Sequence, residues 1–179
     1  MRIIGGDAKR KRLISYNDIA RPTASRIKET LFNLVGNVKG LYFLDLYAGT
    51  GNIGIEAISR GAEAVCFVEK APELCKIIRK NLKTTGFEER GRIFRHQVTG
   101  SLFKLFKKKL FIFDIVFADP PYESGQISRL MNCIDFSIID REGIFVVQHS
   151  VREKIKKRAN RVVKIGDTLL SIFERQSYV

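Results

Sequence analysis

The chain has 179 residues, 45% of them hydrophobic, which is material for one globular domain with a core of its own. Its 32 Lys and Arg against 19 Asp and Glu leave a net charge of +13, a field that favours a polyanionic partner, although a solvated basic surface gives the same count. Three scattered cysteines with no CxxC pair and no His cluster exclude a disulfide scaffold and suggest no metal; with no signal peptide after Met1 and no apolar run of membrane length, they read as reduced core thiols of a cytoplasmic protein.

Residues 1–20 read as a basic N-terminal arm. A strand-like piece, Met1–Ile4, leads into Gly5-Gly6 and then Lys9-Arg10-Lys11-Arg12. Residues 1–30 carry eight basic side chains, Lys28 among them, against three acidic ones, a net of +5. A β-hairpin laid on nucleic-acid phosphates fits this pattern, and a solubilising tail is the plainer alternative. Arg21-Pro22-Thr23 opens a helix, with Thr23 as the candidate N-cap. Ile27, Leu31, Phe32, Leu34 and Val35 then recur at helical spacing as far as Gly36. Arg21 and Arg26 stand apart as cations able to face the active edge of a sheet.

Leu41–Leu46 is a short buried strand that runs into Asp45-Leu46-Tyr47-Ala48-Gly49-Thr50-Gly51-Asn52-Ile53-Gly54. Gly49-x-Gly51-x-x-Gly54 between a strand and a helix is the dinucleotide-type fingerprint. It predicts a tight turn, a ligand against the backbone and free helix N–H groups facing an anion. Asp45, four residues before the first glycine, would repel a pyrophosphate. It suits a cofactor with a positive centre, such as S-adenosylmethionine with its sulfonium and ammonium; a helix-capping or turn aspartate is the alternative. Candidate cofactor contacts in this stretch are Asp45, Tyr47, Gly49, Thr50, Gly51 and Gly54.

The helix Ile53–Arg60 stops at Gly61. The strand Ala64–Val68 ends on Glu69, where such sheets bind ribose hydroxyls; a surface charge starting the next helix is the alternative. Residues 72–85 form that helix, with Leu74, Ile77, Ile78 and Leu82 on one face, Asn81 read as a helix-surface amide and Gly86 as the stop. Arg92–His96 is a third strand with Gln97 at its carboxyl end, either an adenine contact or an ordinary loop residue. The helix Ser101–Lys109 carries Lys104, Lys107, Lys108 and Lys109.

Phe111–Tyr122, FIFDIVFADPPY, begins as a strand buried on both faces, the pattern of a central strand in a parallel sheet. Pro120 and Pro121 remove two backbone donors and fix φ, so the strand must stop. The chain then makes a stiff turn holding a carboxylate (Asp119), a carbonyl (Pro120) and a ring (Tyr122) at a strand's carboxyl end. Nucleobase and amide nitrogens are poor nucleophiles because the lone pair is delocalised. Two acceptors on the amine hydrogens draw the nitrogen towards tetrahedral geometry and free that pair, while a stacked ring holds the base. An ordinary strand end with a Pro-Pro stop is the alternative. The candidate catalytic set is Asp119, Pro120, Pro121 and Tyr122.

Gly125–Cys133 reads as a helix, Gly143–His149 as a fifth strand and Val151–Arg158 as a basic helix. Asn160–Ile165 and Thr168–Glu174 are strands about a Gly166-Asp167 turn. Neither His96 nor His149 has a partner for a triad. Alternating strands and helices closed by a hairpin predict an α/β fold. Its sheet is Rossmann-like, mostly parallel and seven-stranded, with a C-terminal antiparallel hairpin, in one domain spanning 21–179 after the 1–20 arm.

Taken together, Arg2–Gly6, Arg21-Pro22-Thr23 through Asn33, Asp45–Gly54, Ser59–Ala62, Val68-Glu69, Asn81-Leu82, Asp119–Tyr122 and Gly166–Thr168 resemble the RsmD family of bacterial small-subunit (16S) ribosomal RNA guanine methyltransferases. The likeness covers nearly the whole chain. It departs from the family pattern in the unbroken Lys9–Arg12 run, in Gln97 where an Asp or Asn is usual, and in Gln148-His149 at the end of the fifth strand. The resemblance implies a cytoplasmic, monomeric bacterial enzyme that moves a methyl group from S-adenosyl-L-methionine to the exocyclic 2-amino group of a guanine in RNA, naked or assembled with protein. It implies Glu69 on the cofactor ribose, Asp45 near its charged methionine end and Gln97 near its adenine. Lys9, Arg10, Lys11, Arg12, Arg21 and Arg26 would lie on RNA. The same turn also serves amino-methyltransferases acting on DNA adenine or cytosine or on a protein glutamine, and a nucleic-acid-binding protein without catalysis is a further rival.

Overall fold

The computed structural model describes residues 1–15, 22–121 and 125–178, with Pro22–Ala24 as backbone only. The candidates Arg21 and Tyr122 lie outside the described residues. Chain order is α1 (Pro22–Val35), β1 (Tyr42–Leu46), α2 (Asn52–Ser59), β2 (Ala64–Glu69), α3 (Pro72–Thr85), β3 (Gly91–Arg95) and α4 (Gly100–Lys108). Then come β4 (Phe113–Ala118), α5 (Gln126–Cys133), β5 (Ile139–Ser150), β6 (Arg161–Ile165) and β7 (Thr168–Glu174). The seven strands form one sheet in the order β3-β2-β1-β4-β5-β7-β6. β1 to β5 pair in parallel, β7 is antiparallel to β5, and β6 lies at the edge antiparallel to β7. The expected fold is the observed one.

The central strands read as unbroken apolar runs because both faces are covered. Phe43, Val65, Phe67, Ile115, Phe117 and Val146 face the core shared with α1, α2 and α3. Leu44, Leu46, Val68, Val116, Phe145 and Val147 face the core shared with α4 and α5. Alternate residues point to opposite faces, so each strand feeds both cores at once.

The arm is a docked element, which the tail reading does not fit. An antiparallel bridge joins Arg2 to Arg12, and Ile3, Ala8 and Leu13 are buried. Glu56, fully buried on α2, gathers it: Oε2 accepts from the Ile4 amide at 2.9 Å and the Lys28 ammonium at 2.9 Å, and Oε1 from the Gly5 amide at 2.8 Å. Ser59 accepts from the Ala8 amide and donates to the Gly5 carbonyl. Gly6 has φ 74° and lies so close to α2 that a Cβ would sit 1.7 Å from the Ser59 carbonyl oxygen. The glycine pair is therefore a docking surface as well as a turn.

Four further expectations change. Lys28 is not an RNA-facing cation; it is buried, bonded to Glu56, the Arg2 carbonyl and Asn52, and burial lowers its pKa against the pull of Glu56. Asn81 is not a surface amide: it is fully buried, accepts from the Ile14 amide and donates to the carbonyls of Ile14 and Thr50. α1 starts at Pro22, so Thr23 falls inside its first turn and does not cap it. Residues 151–158 form no helix. The Ser150 hydroxyl takes the Arg152 amide and the Ser150 carbonyl takes the Glu153 amide, so local turn bonds win over helix propensity.

Candidate active site

β1 and β4 lie side by side in parallel register, with Leu46 opposite Ala118. The segments after them must therefore leave by the same edge. The Asp119 amide lies 3.5 Å from the Leu46 carbonyl, holding the Asp119-Pro120-Pro121 turn against the start of the glycine loop. Pro120 is buried, Asp119 half-buried and Pro121 exposed.

The glycine loop is shaped by backbone constraint. Tyr47 sits at φ 61°, uncommon for a residue with a side chain, and the next amide, Ala48, is anchored on the Val68 carbonyl at 2.9 Å. Gly51 caps α2 in the left-handed conformation at φ 81°. A Cβ on Gly54 would lie 2.3 Å from the Phe67 ring, so only glycine lets α2 rest on β2.

The first and last glycine amides of the fingerprint, and the Ala71 amide beside them, are already taken by carboxylates. The Gly49 amide donates to Glu69 Oε2 at 2.9 Å, the Ala71 amide to Glu69 Oε1 at 2.8 Å, and the Gly54 amide to Asp45 Oδ2 at 2.9 Å. A pyrophosphate would meet carboxylates where a dinucleotide site offers N–H groups. Asp45 thus takes a helix-capping position, as its alternative reading had it. Glu69 is buried at the end of β2 and ties that strand to the loop, where a surface charge was the alternative.

These carboxylates stand close enough to feel one another. Burial pushes the Asp45 carboxyl up to about 7; the Gly54 N–H opposes this, and the charges of Asp119 and Glu69 add to it. Loss of solvent alone lifts Asp119 to about 7. Burial likewise raises the Tyr47 phenol to about 12, so it stays neutral.

A cleft of about 260 Å³ opens between the ends of β1, β2, β3 and β4. Of the expected cofactor contacts, Tyr47, Glu69 and Gln97 line it; of the expected catalytic set, Asp119 and Pro121 do. Asp45, Gly49, Thr50, Gly51 and Gly54 are not in its wall. They build the loop beside it, with the Thr50 carbonyl held by Asn81. Lys70, His96, Val98 and Gln126 also line the cleft and were not singled out from the sequence. Lys70 and His96 follow the ends of β2 and β3, so the strand-end rule was the signal available for them. For Gln126, at the start of α5, the sequence offered none.

The cationic candidates scatter. Arg26 is exposed on α1. Lys11 donates to the Thr85 carbonyl in the last turn of α3, and the arm's Gly5–Ala8 tip rests on Ser59, the last residue of α2. Both helices run from the carboxyl edge of the sheet back to its amino edge. The arm's tip therefore points to the edge opposite the cleft, with Lys9, Arg10 and Lys11 on that side, whereas Arg12 is bridged to Arg2, whose carbonyl Lys28 joins to Asn52 at the start of α2. Among the described residues no group of three or more His, Cys, Asp or Glu is placed to hold a metal, and no helix is long and apolar enough to cross a membrane.

Three clustered carboxylates, beside a loop whose Gly49 and Gly54 amides are held by two of them, fit a cationic cofactor. With this strand order they define a Rossmann-like methyltransferase that uses S-adenosyl-L-methionine. The sequence model of the family described as "Conserved hypothetical protein 95" matches residues 1–172. YlbH of Bacillus subtilis (strain 168) is 33% identical over 152 residues, 83% of this chain and 82% of that protein. "Ribosomal RNA small subunit methyltransferase D" of Buchnera aphidicola subsp. Acyrthosiphon pisum is 34% identical over 138 residues, 74% of this chain and 69% of the relative. The solved structure of YhhF from Escherichia coli superimposes with a TM-score of 0.81 at 26% identity, covering 98% of this chain and 97% of that one. An RNA methyltransferase from Salinibacter ruber, solved with S-adenosyl-L-homocysteine, shares the fold at a TM-score of 0.66 and 18% identity, over 89% of this chain and 96% of its own. The chain belongs to the RsmD family and is an S-adenosylmethionine-dependent methyltransferase.

Proposed function

We propose that this enzyme methylates the exocyclic 2-amino group of a guanine in small-subunit ribosomal RNA, as one domain, residues 21–179, carrying the 1–20 arm. One observation carries the reading: the Asp119-Pro120-Pro121 turn and the glycine loop leave adjacent strands, and Asp119 and Pro121 share one cleft with Glu69 and with Tyr47 at the start of that loop. Relatives of this chain bear the name of a small-subunit ribosomal RNA methyltransferase, which supports the substrate class.

When bound, S-adenosylmethionine supplies an electrophilic methyl group on a sulfonium centre. Glu69 and Gln97, at the ends of β2 and β3, hold its ribose and adenine, and Asp45 sets the negative potential that favours its positive end. The guanine is turned out of its stack into the cleft. Asp119 and the Pro120 carbonyl accept the two amine hydrogens and concentrate the lone pair on nitrogen. Tyr122 stacks on the base, and the short rigid turn supplies positioning, the larger share of catalysis in such a transfer. Once alkylated the nitrogen is strongly acidic, so its proton leaves to water without a strong base. The RNA, alone or within an assembling subunit, meets a monomer in the cytoplasm, with Lys9–Arg12, Arg21 and Arg26 on its phosphates.

The test offers labelled S-adenosylmethionine with small-subunit RNA, DNA and protein in parallel. Mass spectrometry of ribosomal RNA from cells with and without the gene accompanies it. Label on guanine N2, and its loss from the cells lacking the gene, is expected. Label on DNA or on a glutamine would reassign the substrate.

A further inference from the structure

We infer that Asn81 is a positioning residue for the cofactor: it sets the Thr50–Gly51 peptide of the glycine loop and braces that loop against the arm. The inference rests on the reading of this loop as the place where the cofactor lies. Asn81 is fully buried on α3, far in the chain from both segments it joins. Its Oδ1 accepts from the Ile14 amide at 2.8 Å. Its Nδ2 donates to the Ile14 carbonyl at 3.0 Å and to the Thr50 carbonyl at 2.9 Å. A carboxamide brings an acceptor and two donors to a single point, and here every one of these groups is used. Turned over, the amide would set donor against the Ile14 N–H and oxygen against the carbonyls, so the network admits one orientation.

The contact falls where the loop is least able to hold itself. Thr50 stands between Gly49 at φ 57° and Gly51 at φ 81°, and glycine backbones turn readily to either side. The peptide joining Thr50 to Gly51 is held at both ends. Its N–H donates to the Ala48 carbonyl at 2.8 Å, and its C=O accepts from Asn81. On one side the loop is closed: a Cβ on Gly51 would lie 3.3 Å from Ile55 and from Ile78, which stands one turn before Asn81 on α3. On the other it is open, since a Cβ on Gly49 would meet nothing within 4 Å. Asn81 is not in the cleft wall, so it acts on a ligand only through Thr50. Filling this buried position needs no polar group, and an amide there carries a desolvation cost unless it is bonded. A loop whose shape is fixed before the cofactor arrives binds it with a smaller ordering penalty.

The experiment measures the Kd of S-adenosylmethionine by calorimetry, its KM, kcat for methyl transfer and the denaturation midpoint. Asn81→Leu keeps the volume and loses all the bonds. Asn81→Asp, the milder change, keeps the acceptor for the Ile14 amide and, ionised, has no donor for Thr50; it decides if Asn81→Leu does not fold. Leu170→Ala opens a cavity on β7, three strands from β1, and serves as the control for lowered stability. Gly49→Val puts a branched side chain on a left-handed residue at the loop's open side. Both Asn81 variants are expected to raise Kd and KM about tenfold, the equivalent of one hydrogen bond, with kcat at saturating cofactor kept. Leu170→Ala should lower the midpoint and leave both constants alone, and Gly49→Val should lose the cofactor. An Asn81→Asp protein that binds the cofactor like wild type would overturn the inference, as would a fall in kcat with KM kept or an equal loss of affinity in Leu170→Ala. Affinity kept in Gly49→Val would fault the loop as the cofactor's place. Affinity lost there but kept in the Asn81 variants would overturn the inference alone.

Discussion

Asp119 and Asp45 set the chemistry because each is held near the midpoint of its titration at neutral pH. Both carboxyls rise to about 7, chiefly through burial. A protonated Asp119 loses acceptor capacity towards the amine, so kcat/KM should climb as pH rises and level off above about 7. A flat profile from pH 6 to 8 would remove Asp119 from that role. Asp119→Ala should cost about 10²–10³ in kcat, the usual loss for one transition-state acceptor or donor, with calorimetric cofactor affinity kept. Lost cofactor binding would make the residue structural. Linkage gives a second expectation. A carboxyl with a raised native pKa binds more protons folded than unfolded between about 4 and 7. Stability of the ligand-free protein should therefore fall as pH rises through that window. Cofactor binding should expel protons near neutrality, readable as a buffer-dependent enthalpy.

At the scale of elements, the arm and α2 act as one unit through Glu56. Its carboxylate takes Ile4, Gly5, Lys28 and Arg60 at 2.8 to 2.9 Å in a site closed to water. Glu56→Ala would leave the Lys28 ammonium buried without its counter-charge, a loss of about 3–5 kcal/mol, readable as a lowered denaturation midpoint. Adding Lys28→Met to it should recover part of that. Gly6→Val puts side-chain atoms where the Ser59 carbonyl stands. The arm should then come off α2 and be cut by protease at Lys9–Arg12 while the sheet survives. An arm that stays protected would show that α2 can give way. Asn81 extends the unit towards the site, since one amide fastens Ile14 of the arm to Thr50 of the glycine loop.

Over the whole molecule, +13 charges are not spread around the cleft, where carboxylates prevail. The positive field draws in a polyanion from a distance, and the local negative potential suits a cationic cofactor. Replacing Lys9, Arg10, Lys11 and Arg12 by Ala should weaken RNA binding and flatten its salt slope while leaving kcat untouched, because none of the four lines the cleft. A drop in kcat would mean that the arm reaches the target base.

Alternating apolar runs and helical spacing sufficed to specify the sheet, its helices and their order, because those signals are local and repeat along the chain. The Asp119-Pro120-Pro121 turn and the glycine loop were legible for the same reason, since prolines and glycines constrain their own backbone. Asn81 was legible in principle, sharing a helix face with Ile78, Leu82 and Thr85, yet nothing local revealed what it would bond. Two matters waited on tertiary contacts: the burial of Lys28 against Glu56, and the capture of the loop amides by Asp45 and Glu69. Each depends on partners brought from elsewhere in the chain, and a polar side chain does not announce over sequence distance whether its counter-charge will be water or protein.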